Sequence, residues 1–197
     1  MAEGKSEKGI SRRDFLKGAA AGVGATALAG FDLKEAKAQG LKWDKETDVL
    51  IIGSGYAGMA AAIEAYDSGA SVTILEKMAS CGGTSIISEG GYNAVDPERQ
   101  KAQGIEDSID LHFEQTIAAG DYRGEAEKVR YLVEHALEGW KWLEGMGVEL
   151  TRIFQIYGAL WPRTHQGKYK DKTKGWALAE ALHDQVNAKG IPLLLKH

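Results

Sequence analysis

The sequence predicts an α/β fold with a parallel sheet, and three observations carry that prediction. The apolar run Val49 to Ile52 has the length and composition of a strand buried on both faces. It leads directly into Gly53-x-Gly55-x-x-Gly58, where Ala57 to Ala65 has the composition of a helix. A second strand, Ser71 to Leu75, ends in an acid, Glu76, about twenty residues beyond Gly55. Strand, glycine turn and helix in this order make the Rossmann-like fingerprint for a dinucleotide. Gly53 permits the tight turn, Gly55 lets backbone approach a pyrophosphate, and Gly58 lets helix and strand pack closely. The N–H groups at the helix start hold phosphates, and Glu76 is placed to accept hydrogen bonds from a ribose hydroxyl. The plain alternative is a glycine-rich turn between two buried strands.

Composition narrows the classes. The chain has 197 residues, 44% of them hydrophobic, enough for one core and not for two large domains. A net charge of −4 gives no basic field to attract nucleic acid. Cys81 is the single cysteine, which excludes an internal disulfide, a CxxCH haem site and a cysteine cluster in this sequence. No apolar run approaches the roughly 18 to 20 residues of a membrane span, so no stable span is expected.

Residues 1–38 read as a targeting segment. Ser11-Arg12-Arg13-Asp14-Phe15-Leu16-Lys17 is a nearly complete twin-arginine core. A modest apolar stretch, Gly18 to Gly30, and a small-residue cleavage site, Ala36-Lys37-Ala38, follow in the correct order. The expectation is export through the twin-arginine translocon, folded and cofactor-loaded, to the periplasm. That leaves 39–197 as the mature part. After a polar lead-in, Leu41 to Thr47, come the strand, turn, helix and strand already described, with Gly69 placed to end the helix.

A second glycine segment follows at once: Cys81-Gly82-Gly83-Thr84-Ser85, then Glu89-Gly90-Gly91-Tyr92-Asn93-Ala94. A nicotinamide site does not need it. A flavin dinucleotide does, because its extended body keeps passing close to backbone that must lack Cβ atoms. The series GSGYAG, LEK, CGGTS and EGGYNA, in this order and spacing, resembles the flavoproteins of the fumarate reductase, succinate dehydrogenase and soluble flavocytochrome c family. The resemblance runs from about residue 46 to the end of the chain. It implies a glutathione-reductase-like FAD-binding domain, here truncated before the capping domain, with FAD held non-covalently. By that resemblance Gly53, Gly55, Ala57, Gly58, Glu76, Lys77, Gly82, Gly83, Thr84, Ser85, Gly90 and Gly91 bind the cofactor. Thr84 stands where the family usually has Asn, and Glu89 where it has a small residue, so the Glu89 side chain is expected to point away from the flavin. Cys81 reads as a packing residue.

Beyond this the chain reads as helices. Ile105, Ile109, Phe113 and Ile117 form one stripe, which leaves His112 and Glu114 off it and solvated. Val129, Leu132, Val133, Ala136, Leu137, Trp140 and Leu143 form the buried face of a helix over 125–144, with His135 on its surface. Val148 to Leu150 is a short strand. Thr151 to Lys174 reads as a long irregular stretch, with a lysine-rich hairpin from Lys168 that is solvated or docks an acidic electron-transfer partner. His165, in Arg163-Thr164-His165, either sits near the flavin or pins this loop. A helix from Leu178 to Ala188 and a buried strand, Ile191 to Leu195, close the chain. A core strand with nothing after it suggests a fragment.

The resemblance implies an exported FAD oxidoreductase acting on CH–CH groups, with fumarate as the type substrate. In that family a hydride passes from reduced flavin to one alkene carbon, and an arginine protonates the other. Arginine and histidine side chains clamp the carboxylates. Those residues come from later parts of the family chain, so no catalytic residue is expected within 1–197, and this stretch alone is expected to be inactive. The missing CxxCH implies a separate electron donor, a c-type cytochrome or a quinol-linked partner. Three alternatives stay open: a ketosteroid-type dehydrogenase that introduces a C=C bond, an FAD-binding module without turnover, and a nicotinamide-dependent dehydrogenase.

Overall fold

The computed structural model describes residues 44–197. Its elements run β1 (Val49–Ile52), α1 (Tyr56–Asp67), β2 (Val72–Glu76), a 3₁₀ turn (Gly83–Ser85), β3 (Tyr92–Asn93), α2 (Pro97–Lys101), α3 (Ile109–Ala119), α4 (Ala126–Gly145), β4 (Glu149–Phe154), β5 (Thr164–Tyr169), β6 (Lys172–Thr173), α5 (Lys174–Ala188) and β7 (Leu193–Leu195). The twin-arginine core and the Ala36-Lys37-Ala38 site fall outside the described residues.

β1, β2 and β7 form a parallel sheet in the order β1-β2-β7. Ile51 pairs with Ile74, and Ile74 with Leu193. Parallel neighbours need a crossover, and α1 supplies it between β1 and β2. Met59, Ala62 and Ile63 of α1 meet Leu178, Leu182 and Val186 of α5 over Val72 and Ile74 of β2, and this is the core. Each large side chain buried there contributes about 1.5–3 kcal/mol. β1 departs from expectation: Leu50 is exposed and Ile52 is 84% exposed. Among the described residues β1 is an edge strand with one covered face, and four apolar residues in a row do not distinguish one covered face from two.

The second sheet replaces the predicted irregular stretch. β3, β5 and β4 pair antiparallel in that order, and β6 joins β5. Two features hide these strands from a hydrophobic pattern. A register shift between Leu150 and Arg152 breaks the alternation of β4. β5 is polar throughout, and it is buried by bonding Thr164 and His165 rather than by alternating apolar residues. The lysine-rich segment does form a hairpin, with Lys168 opposite Thr173.

Two helix faces also turn from their predicted positions. On α3, His112 is only 7% exposed, because the helix presents it to Arg163 rather than to solvent. On α4, Val133, Ala136, Trp140 and Leu143 are buried as expected, but Leu132 is 62% exposed. His135 lies on the α4 surface and pairs with Glu138 at 3.0 Å.

Candidate functional site

The first glycine segment shapes the start of α1. Gly53 has φ 97°, a left-handed conformation that turns the chain out of β1. A Cβ on Gly58 would lie 2.0 Å from the Gly53 carbonyl oxygen, so helix and turn meet this closely only with glycine there. Gly55 caps α1 without a side chain, and no acid stands in the first helical turn. The first-turn N–H groups are therefore free of a carboxylate of their own, the condition for receiving an anion. One is partnered: the Tyr56 N–H donates to Ser85 Oγ at 3.2 Å.

Glu76, at the end of β2, turns towards this segment. Its Oε2 accepts from the Ser54 N–H at 2.9 Å and the Ser54 hydroxyl at 2.6 Å, while Oε1 accepts from the Met78 N–H at 2.9 Å. The Ser54 hydroxyl bond, then the two backbone bonds, hold the carboxyl below its ordinary pKa against the opposing effect of burial. A carboxylate offers about four acceptor sites, so Oε1 retains room for one further donor. Ser54 Oγ in turn accepts from the Gly82 N–H at 3.0 Å, which links the first glycine segment to the second.

The second segment runs as a short 3₁₀ turn and then lies against α5. A Cβ on Gly90 would come within 2.3 Å of the Lys174 carbonyl carbon, so backbone meets backbone here. Glu89 reaches along the surface to Lys174 at 3.0 Å. Burial pushes the Cys81 thiol above its ordinary pKa, which suits a packing residue better than a reactive thiolate. Ala57, Gly90 and Gly91 line a groove of about 820 Å³ whose walls include Leu143, Leu178 and Ile156. Thus Gly53, Gly55, Gly58, Glu76, Gly82 and Ser85 gather at the α1 N-terminus, and Ala57, Gly90 and Gly91 at the groove. Lys77, Gly83 and Thr84 are exposed beside them.

A buried polar cluster supports the second segment from below. His165 is fully buried, with Nδ1 3.1 Å from the Arg163 carbonyl oxygen and Nε2 3.3 Å from Asp96 Oδ2. Arg163 donates through Nε and Nη2 to both oxygens of Asp107, at 2.9 and 2.7 Å, and through Nη1 to Gln115 at 2.8 Å. Burial raises the Asp107 pKa, but the bonds from Arg163 and Gln100 outweigh it and leave the group below its ordinary value. The Ala94 N–H donates to the Arg163 carbonyl, and Thr164 Oγ1 donates to Asn93 Oδ1 at 2.7 Å, so β3 is held in place. The His165 ring therefore ties its own strand to Asp96 at the start of α2, while Thr164 holds β3. Sequence reasoning missed Ser54, Tyr56, Asp96 and Asp107; the first two fill the unspecified positions of the fingerprint.

The sequence pattern of the FAD binding domain family matches residues 48–197. The chain belongs to that family. FAD is its cofactor, and the site has the features such a group needs: glycine backbone without Cβ atoms, open helix N–H groups and a carboxylate with one free acceptor site. The pattern of twin-arginine translocation signal sequences matches residues 9–29, which directs export across the cytoplasmic membrane. This FAD-binding domain is 41% identical over 150 residues to the acrylate reductase flavoprotein subunit of Shewanella woodyi, covering 76% of this chain and 30% of that protein. The solved open conformation of a flavocytochrome c3 fumarate reductase superposes with a TM-score of 0.73 at 29% identity, covering 99% of this chain and 31% of that one. A 3-ketosteroid Δ4-(5α)-dehydrogenase from Rhodococcus jostii superposes with a TM-score of 0.69 at 25% identity, covering 81% and 40%. The chain spans about a third of the length of the first two. Among the described residues no helix is long and apolar enough to cross a membrane.

Proposed function

We propose that this chain is the cofactor-binding part of an exported oxidoreductase that reduces the C=C bond of a small unsaturated carboxylate, such as fumarate or acrylate. The observation that carries the reading is the meeting of both glycine segments with Glu76 at the start of α1, in a chain 41% identical to an acrylate reductase flavoprotein subunit. When bound, FAD supplies the hydride-transfer chemistry.

The chain's own residues bind and orient that group. Gly53, Gly55, Ala57 and Gly58 bring the α1 N–H groups to the pyrophosphate, and Glu76 Oε1 accepts from a ribose hydroxyl. Lys77 screens the charge there. Gly82, Gly83, Thr84 and Ser85 close over the phosphates, and Gly90 and Gly91 bring backbone against the flavin ring. The apolar walls of the groove exclude water from it. The mature protein begins after Ala38, works in the periplasm and takes electrons from a separate c-type cytochrome or quinol-linked donor. The similarity to a ketosteroid dehydrogenase favours a second reading, in which the chemistry runs in reverse and introduces a C=C bond.

One set of assays on the FAD-loaded whole oxidoreductase, of which this chain is the cofactor-binding part, separates the two. Oxidation of a reduced dye on adding fumarate or acrylate supports the first reading. No response to either acid, with reduction of an oxidised dye by a saturated 3-ketosteroid, would replace it with the second. A periplasmic pull-down that recovers no cytochrome would remove the cytochrome donor and leave the quinol-linked one.

A further inference from the structure

Three segments distant in sequence meet at one phenol. Tyr56 Oη lies 2.8 Å from the Ser85 carbonyl oxygen and 2.8 Å from the Gly175 carbonyl oxygen, the second 119 residues away. Ser88 Oγ stands 3.2 Å from it. Burial raises the Tyr56 pKa, so the phenol keeps the single proton that the two carbonyls share. Around it the packing leaves no slack. A Cβ on Gly175 would lie 2.2 Å from the Ser85 carbonyl oxygen, and the Gly175 N–H donates to the Ser88 carbonyl at 3.0 Å. The main-chain N–H of the same tyrosine donates to Ser85 Oγ. Tyr56 thus joins the α1 N-terminus, the 3₁₀ turn, the Ser88–Gly90 stretch and the start of α5.

We infer that Tyr56 is a positioning residue for the cofactor: its hydroxyl fixes the Gly82–Gly91 segment on the first turn of α1, so the backbone that receives FAD is set before FAD arrives. This rests on the FAD reading of the site. The fingerprint leaves both positions between Gly55 and Gly58 open, and a residue chosen only to fill space at the first has no need of a hydroxyl aimed at two carbonyls. Preorganisation of this kind lowers the ordering cost paid on binding.

The test is Tyr56→Phe in the full chain, which keeps the ring and removes only the hydroxyl. FAD titration, followed by flavin fluorescence and visible circular dichroism, is expected to show a dissociation constant raised about tenfold, the cost of one net hydrogen bond. The visible dichroism of bound flavin is expected to change as well. Amide hydrogen exchange without FAD gives an independent reading: the Ser85–Gly91 amides are protected in the wild type and exchange faster in the variant. An unchanged dissociation constant and flavin dichroism in a variant that only melts earlier would overturn the inference and leave the hydroxyl a part of the fold. So would wild-type amides that gain protection only when FAD is added, a result that needs no variant to fold. A wild-type chain that takes up no flavin removes the FAD reading itself, and this inference with it.

Discussion

Ser54 and Glu76 are bound to each other twice, through the serine N–H at 2.9 Å and its hydroxyl at 2.6 Å, both to the same carboxylate oxygen. The pair ties the end of β2 to the turn after β1, and the Ser54 hydroxyl extends the tie to Gly82. Ser54→Ala removes one bond to a charged acceptor, with an expected loss of about 1.5–3 kcal/mol of stability. Urea unfolding checks it: the midpoint falls while the slope stays unchanged. FAD affinity falls in parallel, because Glu76 loses one of its three donors and Gly82 loses one of its two acceptors.

Gly58→Ala is expected to abolish FAD uptake and to destabilise the fold. Its Cβ would stand 2.0 Å from the Gly53 carbonyl oxygen, which is main chain and cannot rotate aside. Gly145→Ala, at the end of α4 with nothing within 4 Å of a new Cβ, is the control. It is expected to be neutral or stabilising by up to about 1 kcal/mol. Thermal melts and flavin absorbance of the two variants decide the matter. Equal behaviour would show that close helix–turn packing at Gly58 is unimportant.

The parallel sheet, α1 and both glycine segments were legible because each is written locally: an apolar run, a glycine spacing, an acid at a fixed distance. The second sheet was not, because its register shift at Thr151 and the polar composition of β5 erase the period of two. His112 was misplaced for a related reason. A stripe drawn from apolar residues alone cannot see that Arg163 and Asp107, some fifty residues apart, make a buried polar partner for that helix. Ser54 and Tyr56 escaped notice because what they bond lies 22 to 119 residues away, at Glu76, Ser85 and Gly175.

The Arg163–Asp107 pair tests how that polar cluster supports the second glycine segment. Both side chains are almost fully buried and bonded through two parallel contacts. Removing one charge leaves the other buried without compensation, so Asp107→Asn is expected to cost about 3–5 kcal/mol. Arg163→Lys is expected to restore little, because an ammonium cannot bond both carboxylate oxygens and Gln115 in one plane. Chemical denaturation measures the loss. Retention of full stability by the lysine variant would show that charge alone, without the fork geometry, holds the cluster.

His112 makes stability depend on pH near neutrality. Burial first, then the positive charge of Arg163, lowers its pKa to about 4 from an ordinary 6.5, while Asp107 opposes the shift. The folded chain therefore holds this ring neutral where the unfolded chain would protonate it. The stability it contributes is present in full above about pH 6.5 and is lost as pH falls from there to about 4. Between pH 7 and pH 5 the expected loss is about 2 kcal/mol. Glu76, Asp96 and Asp107 also have depressed pKa values, but their contributions fade at lower pH, from the ordinary carboxylate range downward. His112→Gln removes the titration and is expected to flatten the profile between pH 7 and pH 5. Urea unfolding of both proteins at the two pH values gives the comparison, and parallel losses would show that some other group carries the dependence.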